Sequence, residues 1–219
     1  MKFQRQPLRQ AIQKEILTRI VTGSLPAGQR INETHLADDL GLSRTPLREA
    51  MLSMAAAGHL QADMGKGFLV PALVQGEMEE LTEILALLQP QALGHAMPLE
   101  PANLVELSNH LNRTRMSLQR QGEGPAAGQA LATLVISWNA SLLGNGDGGH
   151  LAGDIHRLEN LAARYWYQAG VKGMPQGELL ASLQGLYEVI REGQKDRACQ
   201  VWGDHIAHFG TEAAVRAVS

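Results

Sequence analysis

Apolar residues recur every three or four positions through most of the chain, and the interruptions mark its joints. Over Leu8 to Val21, Ile12, Ile16, Leu17 and Ile20 fall on one face, which predicts a helix ended by Gly23. Leu36, Ala37 and Leu40 make a shorter apolar face; Leu47, Ala50, Met51 and Met54 make another. Asn32 stands where its side chain accepts from the unpaired amides of a first turn. Gly41 suits the left-handed end of that short helix, Leu42 plugs the corner, and Ser43 opens the next helix as its N-cap. Pro46 is tolerated in the first turn, where backbone amides lack partners anyway. Past Leu60 the texture changes. Gln61 to Val70 reads as a short strand, a turn Gly65-Lys66-Gly67 and a second strand, hence a β-hairpin. Leu25 to Gly28 is a turn, and Arg30-Ile31 is a short strand able to pair with that hairpin. Residues 1–7 read as a loose arm.

From Glu77 the helical texture runs to the end, with helices expected at about 77–96, 101–121, 125–143, 147–170, 175–192 and 194–217. The breaks are Gly122-Glu123-Gly124-Pro125, Gly144 to Gly149, and Gly170 to Pro175. Glu79, Glu80 and Glu83 favour the N-terminal turns of the first of these helices. No alternating strand pattern follows Val70. The predicted fold is therefore mostly α. A winged helix-turn-helix of three helices and a small β-wing occupies residues 1–71, a linker 72–76, and an all-α antiparallel bundle 77–219.

Two short helices at a tight turn, the second carrying Arg44, Thr45 and Arg48 at the outer side of its amino end, follow the logic of a reading helix in a DNA major groove. Arginines there reach phosphates or guanine edges. The glycines around Lys66 let the backbone come close to a phosphate chain or a minor groove. An ordinary helical hairpin with a polar outer face is the plain alternative, and a wing directly after the hairpin counts against it.

Charge adds to this picture. The chain of 219 residues has net charge −3, with nine basic and six acidic residues in positions 1–70 and an acidic excess beyond. A basic head on an acidic body suits a DNA-binding domain joined to a domain with another task. The single cysteine, Cys199, excludes an intramolecular disulfide and a cysteine-based zinc finger, and reads as a small buried hydrophobe. No signal-peptide core and no stretch of membrane-spanning length is present, so a cytoplasmic protein is expected.

Gly23 to Ile31, Leu36-Ala37, the run Leu40-Gly41-Leu42-Ser43-Arg44-Thr45-Pro46-Leu47-Arg48-Glu49-Ala50, Gly58-His59-Leu60 and Gly65-Lys66-Gly67 together resemble the winged-helix domain of the GntR family of bacterial transcriptional regulators. The resemblance covers nearly all of residues 8–71. It implies Ser43, Arg44, Thr45, Arg48, Gly65, Lys66 and Gly67 as DNA-contacting positions; Arg30 is either a backbone contact or a solvated arginine. The rest of the chain resembles, more weakly, the all-helical effector and dimerisation domain of the FadR-type branch, the FCD domain. Glu80 to Glu83 with Gln89 to Ala92, Trp138 to Asn145, and Glu188 to Gly193 through His205 carry that resemblance.

Many such domains hold a metal with one Asp and three His. Carried over by position, those ligands fall at Val135, Asn139, near Leu183, and at His205. One imidazole beside an amide does not make such a site, so no metal and no other cofactor is expected. His150, His156 and His208 read as exposed or hydrogen-bonded histidines. The arginine that meets carboxylate ligands in relatives falls at Leu85, and the usual glutamate at Gln89. The implied pocket is lined by Leu85, Leu88, Gln89, Ala92, Val135, Trp138, Asn139, Leu183 and His205, and suits a neutral or hydrophobic effector. A pocket filled by its own side chains is the alternative. Arg164-Tyr165-Trp166-Tyr167 either lines the cavity mouth or packs in a core or dimer surface.

These features imply a homodimeric regulator, a repressor by default for the family, that binds a palindromic operator in double-stranded DNA and is modulated by a small effector. A helical domain that only dimerises, a metal or carboxylate sensor with a rebuilt site, and a winged helix for protein contacts are the alternatives. An enzyme is not expected: the chain has no nucleophile elbow and no phosphate-binding glycine loop after a strand.

Overall fold

The structure, a computed structural model, describes residues 5–63, 65–121, 124–143 and 149–219. The chain divides into two compact units between Leu73 and Val74.

The first unit holds α1 (Arg5–Val21), α2 (Glu33–Asp39), α3 (Arg44–Ala56), β1 (Gln61–Asp63) and β2 (Gly67–Leu69). Helix α1 begins three residues earlier than the apolar pattern indicates; positions 1–4 of the expected arm lie outside the described residues. Asn32 caps α2, its Oδ1 accepting from His35 N–H at 3.1 Å. Gly41 takes φ +63°, as the tight corner requires. Ser43 stands at the N-cap of α3 in extended conformation but makes no side-chain capping bond, unlike the expectation. Leu47, Ala50 and Met51 are fully enclosed and meet Ile16 of α1 and Phe68 of β2 in one core. The two strands pair antiparallel with Ala62 opposite Phe68, and Arg30 adds a bridge to Leu69. Gly65 and Gly67, at φ +79° and +84°, shape the wing's turn.

The second unit is all helical among its described residues: α4 (Gln75–Ala96), α5 (Pro101–Gln121), α6 (Pro125–Leu143), α7 (His150–Val171), α8 (Gln176–Arg191) and α9 (Lys195–Val218). Periodicity places these ends to within about three residues. Helix α4 extends back over Gln75 and Gly76, which the sequence assigns to the linker. The Gly122-Glu123 and Gly144–Gly148 parts of the expected breaks lie outside the described residues. Pro90 sits inside α4, where it cannot donate to the Ala86 carbonyl; Gly203 of α9 packs against both residues.

Two helix pairs approach closely at glycines, one of them backbone to backbone. A Cβ on Gly170 of α7 would lie 2.7 Å from the Cα of Gly128 on α6, and a Cβ on Gly128 would lie 2.5 Å from the Tyr167 carbonyl oxygen. On the other pair, a Cβ on Gly210 of α9 would run into the side chain of Thr82 on α4. The start of α4 is fixed by α7. The Tyr165 hydroxyl accepts from Val74 N–H at 3.0 Å and donates to the Glu77 carboxylate, which also receives Arg164 Nη2 at 2.6 Å. Arg164 is buried and its guanidinium lies over the Tyr165 ring. Cys199 is half-buried beside Gly94, more open than its sequence context indicates.

Candidate nucleic-acid interface and interior pocket

The inward residues of α3 are consumed by the core, so Arg44, Thr45, Arg48, Glu49 and Leu52 are left along one shallow outer face. Arg44 and Thr45 are exposed, and Arg44 forms no ion pair among the described residues. Arg48 is half-exposed but engaged: its Nη1 donates to both carboxylate oxygens of Glu33 at 3.0 Å, and its guanidinium lies 5.6 Å above the Phe68 ring. A Cβ on Gly67 would meet the same Glu33 carboxylate at 3.0 Å. Glu33 thus joins α2, α3 and the wing on this face.

Lys66 is the exposed cation of the wing tip, its Nζ 3.9 Å from Asp63 Oδ2. Arg30 does not project freely. Its Nη2 pairs with Asp63 at 2.5 Å and its Nη1 donates to the Lys66 carbonyl at 3.1 Å, so it holds the tip in place.

Within the helical unit, Leu85 and Gln89 of α4, Val135, Trp138 and Asn139 of α6, Leu183 of α8 and His205 of α9 surround one interior cavity of about 30 Å³. These are the effector-pocket residues expected from the sequence, brought together from four helices. Leu88 and Ala92 do not line it. Glu159, Ala162 and Trp166 of α7 and Trp202 and Ile206 of α9 complete the wall. Gln89 Nε2 donates to Glu159 Oε1 at 2.6 Å. Burial pushes the Glu159 carboxyl up to about 8, against the opposing pull of its bonds with Gln89 and Asn139. His205 is stacked on Trp202 with ring centroids 5.2 Å apart, and its Nδ1 lies 2.8 Å from Ser182 Oγ. Burial, aided by nearby His208, holds its imidazole neutral, with a pKa down to about 3. Gln89 Oε1, Trp138 Nε1, Asn139 Oδ1 and Trp202 Nε1 are buried and have no hydrogen-bond partner among the described residues.

Residues 8–70 match the family described as bacterial regulatory proteins, gntR family. That stretch of the chain is therefore a GntR-type winged-helix domain. Among curated relatives of this chain, an uncharacterized HTH-type transcriptional regulator, YdhC of Bacillus subtilis (strain 168), is 42% identical over 65 residues, 30% of this chain and 29% of that protein. The HTH-type transcriptional regulator McbR of Escherichia coli (strain K12) is 27% identical over 110 residues, half of each chain. The matched stretch thus spans half or less of these relatives. Two solved structures share the fold over nearly the whole length. E. coli McbR/YncC aligns with TM-score 0.79 at 19% identity, covering 92% of this chain and 94% of that one. A putative transcriptional regulator GntR from Rhodococcus sp. RHA1 aligns with TM-score 0.77 at 14% identity, covering 94% and 97%. The fold is the winged helix-turn-helix followed by a helical domain that the GntR resemblance implies.

The four positions where the family resemblance implies metal ligands do converge, but as Val135, Asn139, Leu183 and His205. That donor set does not suit a transition metal: one side chain is an imidazole, one an amide and two are hydrocarbons. Among the described residues no three His, Cys, Asp or Glu side chains come together as a metal would need. His150, His156 and His208 are exposed. The wall residues that sequence reasoning misses had a signal. Glu159, Ala162 and Trp166 share a helical face at spacings of three and seven, and Trp202 and Ile206 flank His205 on α9. Of the Arg164 to Tyr167 cluster only Trp166 reaches the cavity; Arg164 and Tyr165 hold the start of α4 instead.

Proposed function

We propose that the protein is a DNA-binding transcriptional regulator that acts as a homodimer on a near-palindromic operator. The outer face of α3, with Arg44, Thr45 and Arg48 beside a lysine-tipped wing inside a GntR-family domain, is the observation that carries this reading. Ser43, Arg44, Thr45 and Arg48 supply base-edge and phosphate contacts, and Gly65, Lys66 and Gly67 follow the flanking groove. Arg30 acts through the wing by fixing Asp63 and Lys66. Two heads on a symmetric dimer read two half-sites about one helical turn apart. Repression is the default action for this family resemblance. None of the described helices is long and apolar enough to cross a membrane.

The helical unit holds a small, metal-independent effector that is uncharged or hydrophobic. The mainly apolar wall, without Lys or Arg among the described residues, supports this. The effector acts on operator affinity only through its different affinity for the DNA-competent and DNA-incompetent states. A second reading has one observation in its favour. A cavity of about 30 Å³ is small, which suits a unit that packs its own side chains and only dimerises.

The experiment is selection of binding sites from random duplexes by the purified full chain, followed by titration of the winning site at several salt concentrations. A steep inverse dependence on salt and a two-fold symmetric consensus are expected. Failure to enrich any sequence, with no salt-dependent binding to duplex DNA, would overturn the assignment.

A further inference from the structure

The chemistry of the interior pocket defines a ligand class, an inference that rests on reading the helical unit as an effector-binding domain. Among the described residues the cavity wall contains no lysine or arginine, and its two ionisable side chains, Glu159 and His205, come from two different helices. His205 is committed to Ser182 and to its rings Trp202 and Phe209. Glu159 is committed to Gln89 and Asn139. With the His205 imidazole neutral, the wall carries no cation.

What the wall lacks is partners for four polar atoms, each on a side chain at least nine-tenths buried. Two are donors, the indole N–H groups of Trp138 and Trp202. Two are acceptors, the amide oxygens of Gln89 and Asn139. Buried polar groups are nearly always paired, so this set points to an occupant. We propose that the pocket takes a small uncharged molecule of the carboxamide class, an amide head group on a compact apolar body, and discriminates against carboxylates and amines. A primary amide has one carbonyl oxygen with two lone pairs for the two indoles and two N–H bonds for the two amide oxygens. A carboxylate offers no donor, and its charge meets no cation in the wall. An ammonium offers no acceptor, leaving both indoles unpaired. The apolar remainder of the wall, Leu85, Val135, Ala162, Leu183 and Ile206, suits a branched aliphatic body. A cavity of about 30 Å³ favours a ligand of few atoms.

The test uses a property of the chain itself. All three of its tryptophans, Trp138, Trp166 and Trp202, line this cavity, so intrinsic fluorescence reports on the pocket without a label. The full-length protein is titrated at pH 7 with isobutyramide, isobutyrate and isobutylamine, which share one skeleton. The expected result is a saturable spectral change with isobutyramide, with the acid and the amine weaker by about tenfold or more. Asn139→Leu weakens isobutyramide to the level of the other two; should that variant misfold, Gln89→Met serves the same purpose. Isobutyrate binding as tightly as the amide would overturn the class. So would isobutylamine binding tightest with loss of that binding in Glu159→Gln, which would make Glu159 a counter-ion. No saturable response to any of the three, with operator binding intact, would overturn both the ligand class and the effector reading while leaving the DNA-binding assignment standing.

Discussion

Arg48 of α3 is held by Glu33 of α2, with both carboxylate oxygens 3.0 Å from one guanidinium nitrogen. The arginine best placed to read DNA therefore starts from an ion pair and must exchange it. The Arg48 side chain is about half exposed but that of Glu33 only 11%, so giving up the pair for a phosphate or a guanine edge costs more than breaking a fully solvated one. Arg48→Ala is expected to weaken operator binding by roughly 1–3 kcal/mol. Fluorescence anisotropy with the selected operator checks this, and an unchanged affinity would remove Arg48 from the interface. Glu33→Gln is expected to tighten binding to non-specific duplex, because a negative charge leaves the DNA-facing side.

Glu159 and His205 give the stability of the helical unit a distinctive pH dependence. The Glu159 carboxyl is raised to about 8 in the folded protein. Its contribution is complete below the ordinary carboxyl value and is lost as pH rises toward 8, since the unfolded chain ionises first. His205 is lowered to about 3, so its contribution has the opposite sign: stability rises with pH until the unfolded imidazole becomes neutral near 6.5. Between the two ordinary values these slopes oppose each other. From about pH 6.5 to 8 only the Glu159 slope remains, at most about 1.4 kcal/mol per pH unit. Chemical denaturation of Glu159→Gln across this window is expected to lack that decline. An identical decline in the variant would mean that another group is responsible.

The Gly128–Gly170 crossing leaves no room for a methyl group. Gly170→Ala places a Cβ 2.7 Å from a backbone carbon, which no side-chain rotation relieves. Overpacking of this kind costs about 1–3 kcal/mol. A thermal melt read by circular dichroism should show the loss. Gly177→Ala, where a Cβ meets nothing within 4 Å on α8, is the control and should be neutral or slightly stabilising.

At the start of α4, Glu77 is the 2.6 Å partner of the buried Arg164 and the acceptor of the Tyr165 hydroxyl. Glu77→Ala should cost about 2 kcal/mol, below the roughly 3–5 of a fully enclosed pair because the Glu77 side chain is about one-third exposed. Limited proteolysis near residue 74 measures whether the chain there loosens with it. Unchanged protection and an unchanged melting temperature together would show the ion pair to be idle.

Much of this architecture is legible in the chain because the determining signals are local. Asn32, Gly41, Pro46 and the hairpin glycines act within a turn, and their positions coincide with the observed corners. The three-four spacing of Leu47, Ala50, Met51 and Met54 specifies the inner face of α3, and the outer face follows by subtraction. Cavity residues on α4, α6 and α8, with His205 of α9, were reachable because family positions could be carried over one by one. Glu159 was not: an acid in an alanine- and leucine-rich helix looks like a solvated side chain until α4 and α6 close over it. The commitments of Arg30 to Asp63 and of Arg48 to Glu33 were equally hidden, since each joins residues many positions apart.

The glycine crossings have a mechanical consequence for the cavity. One joined pair, α4 with α9, contributes Leu85, Gln89, Trp202, His205 and Ile206. The other, α6 with α7, contributes Val135, Trp138, Asn139, Glu159, Ala162 and Trp166. The void is the seam between two stiff plates, with Leu183 of α8 at its side. A molecule entering the seam works as a wedge. It has little scope to deform either plate, so its volume is expressed as a change in the angle between them.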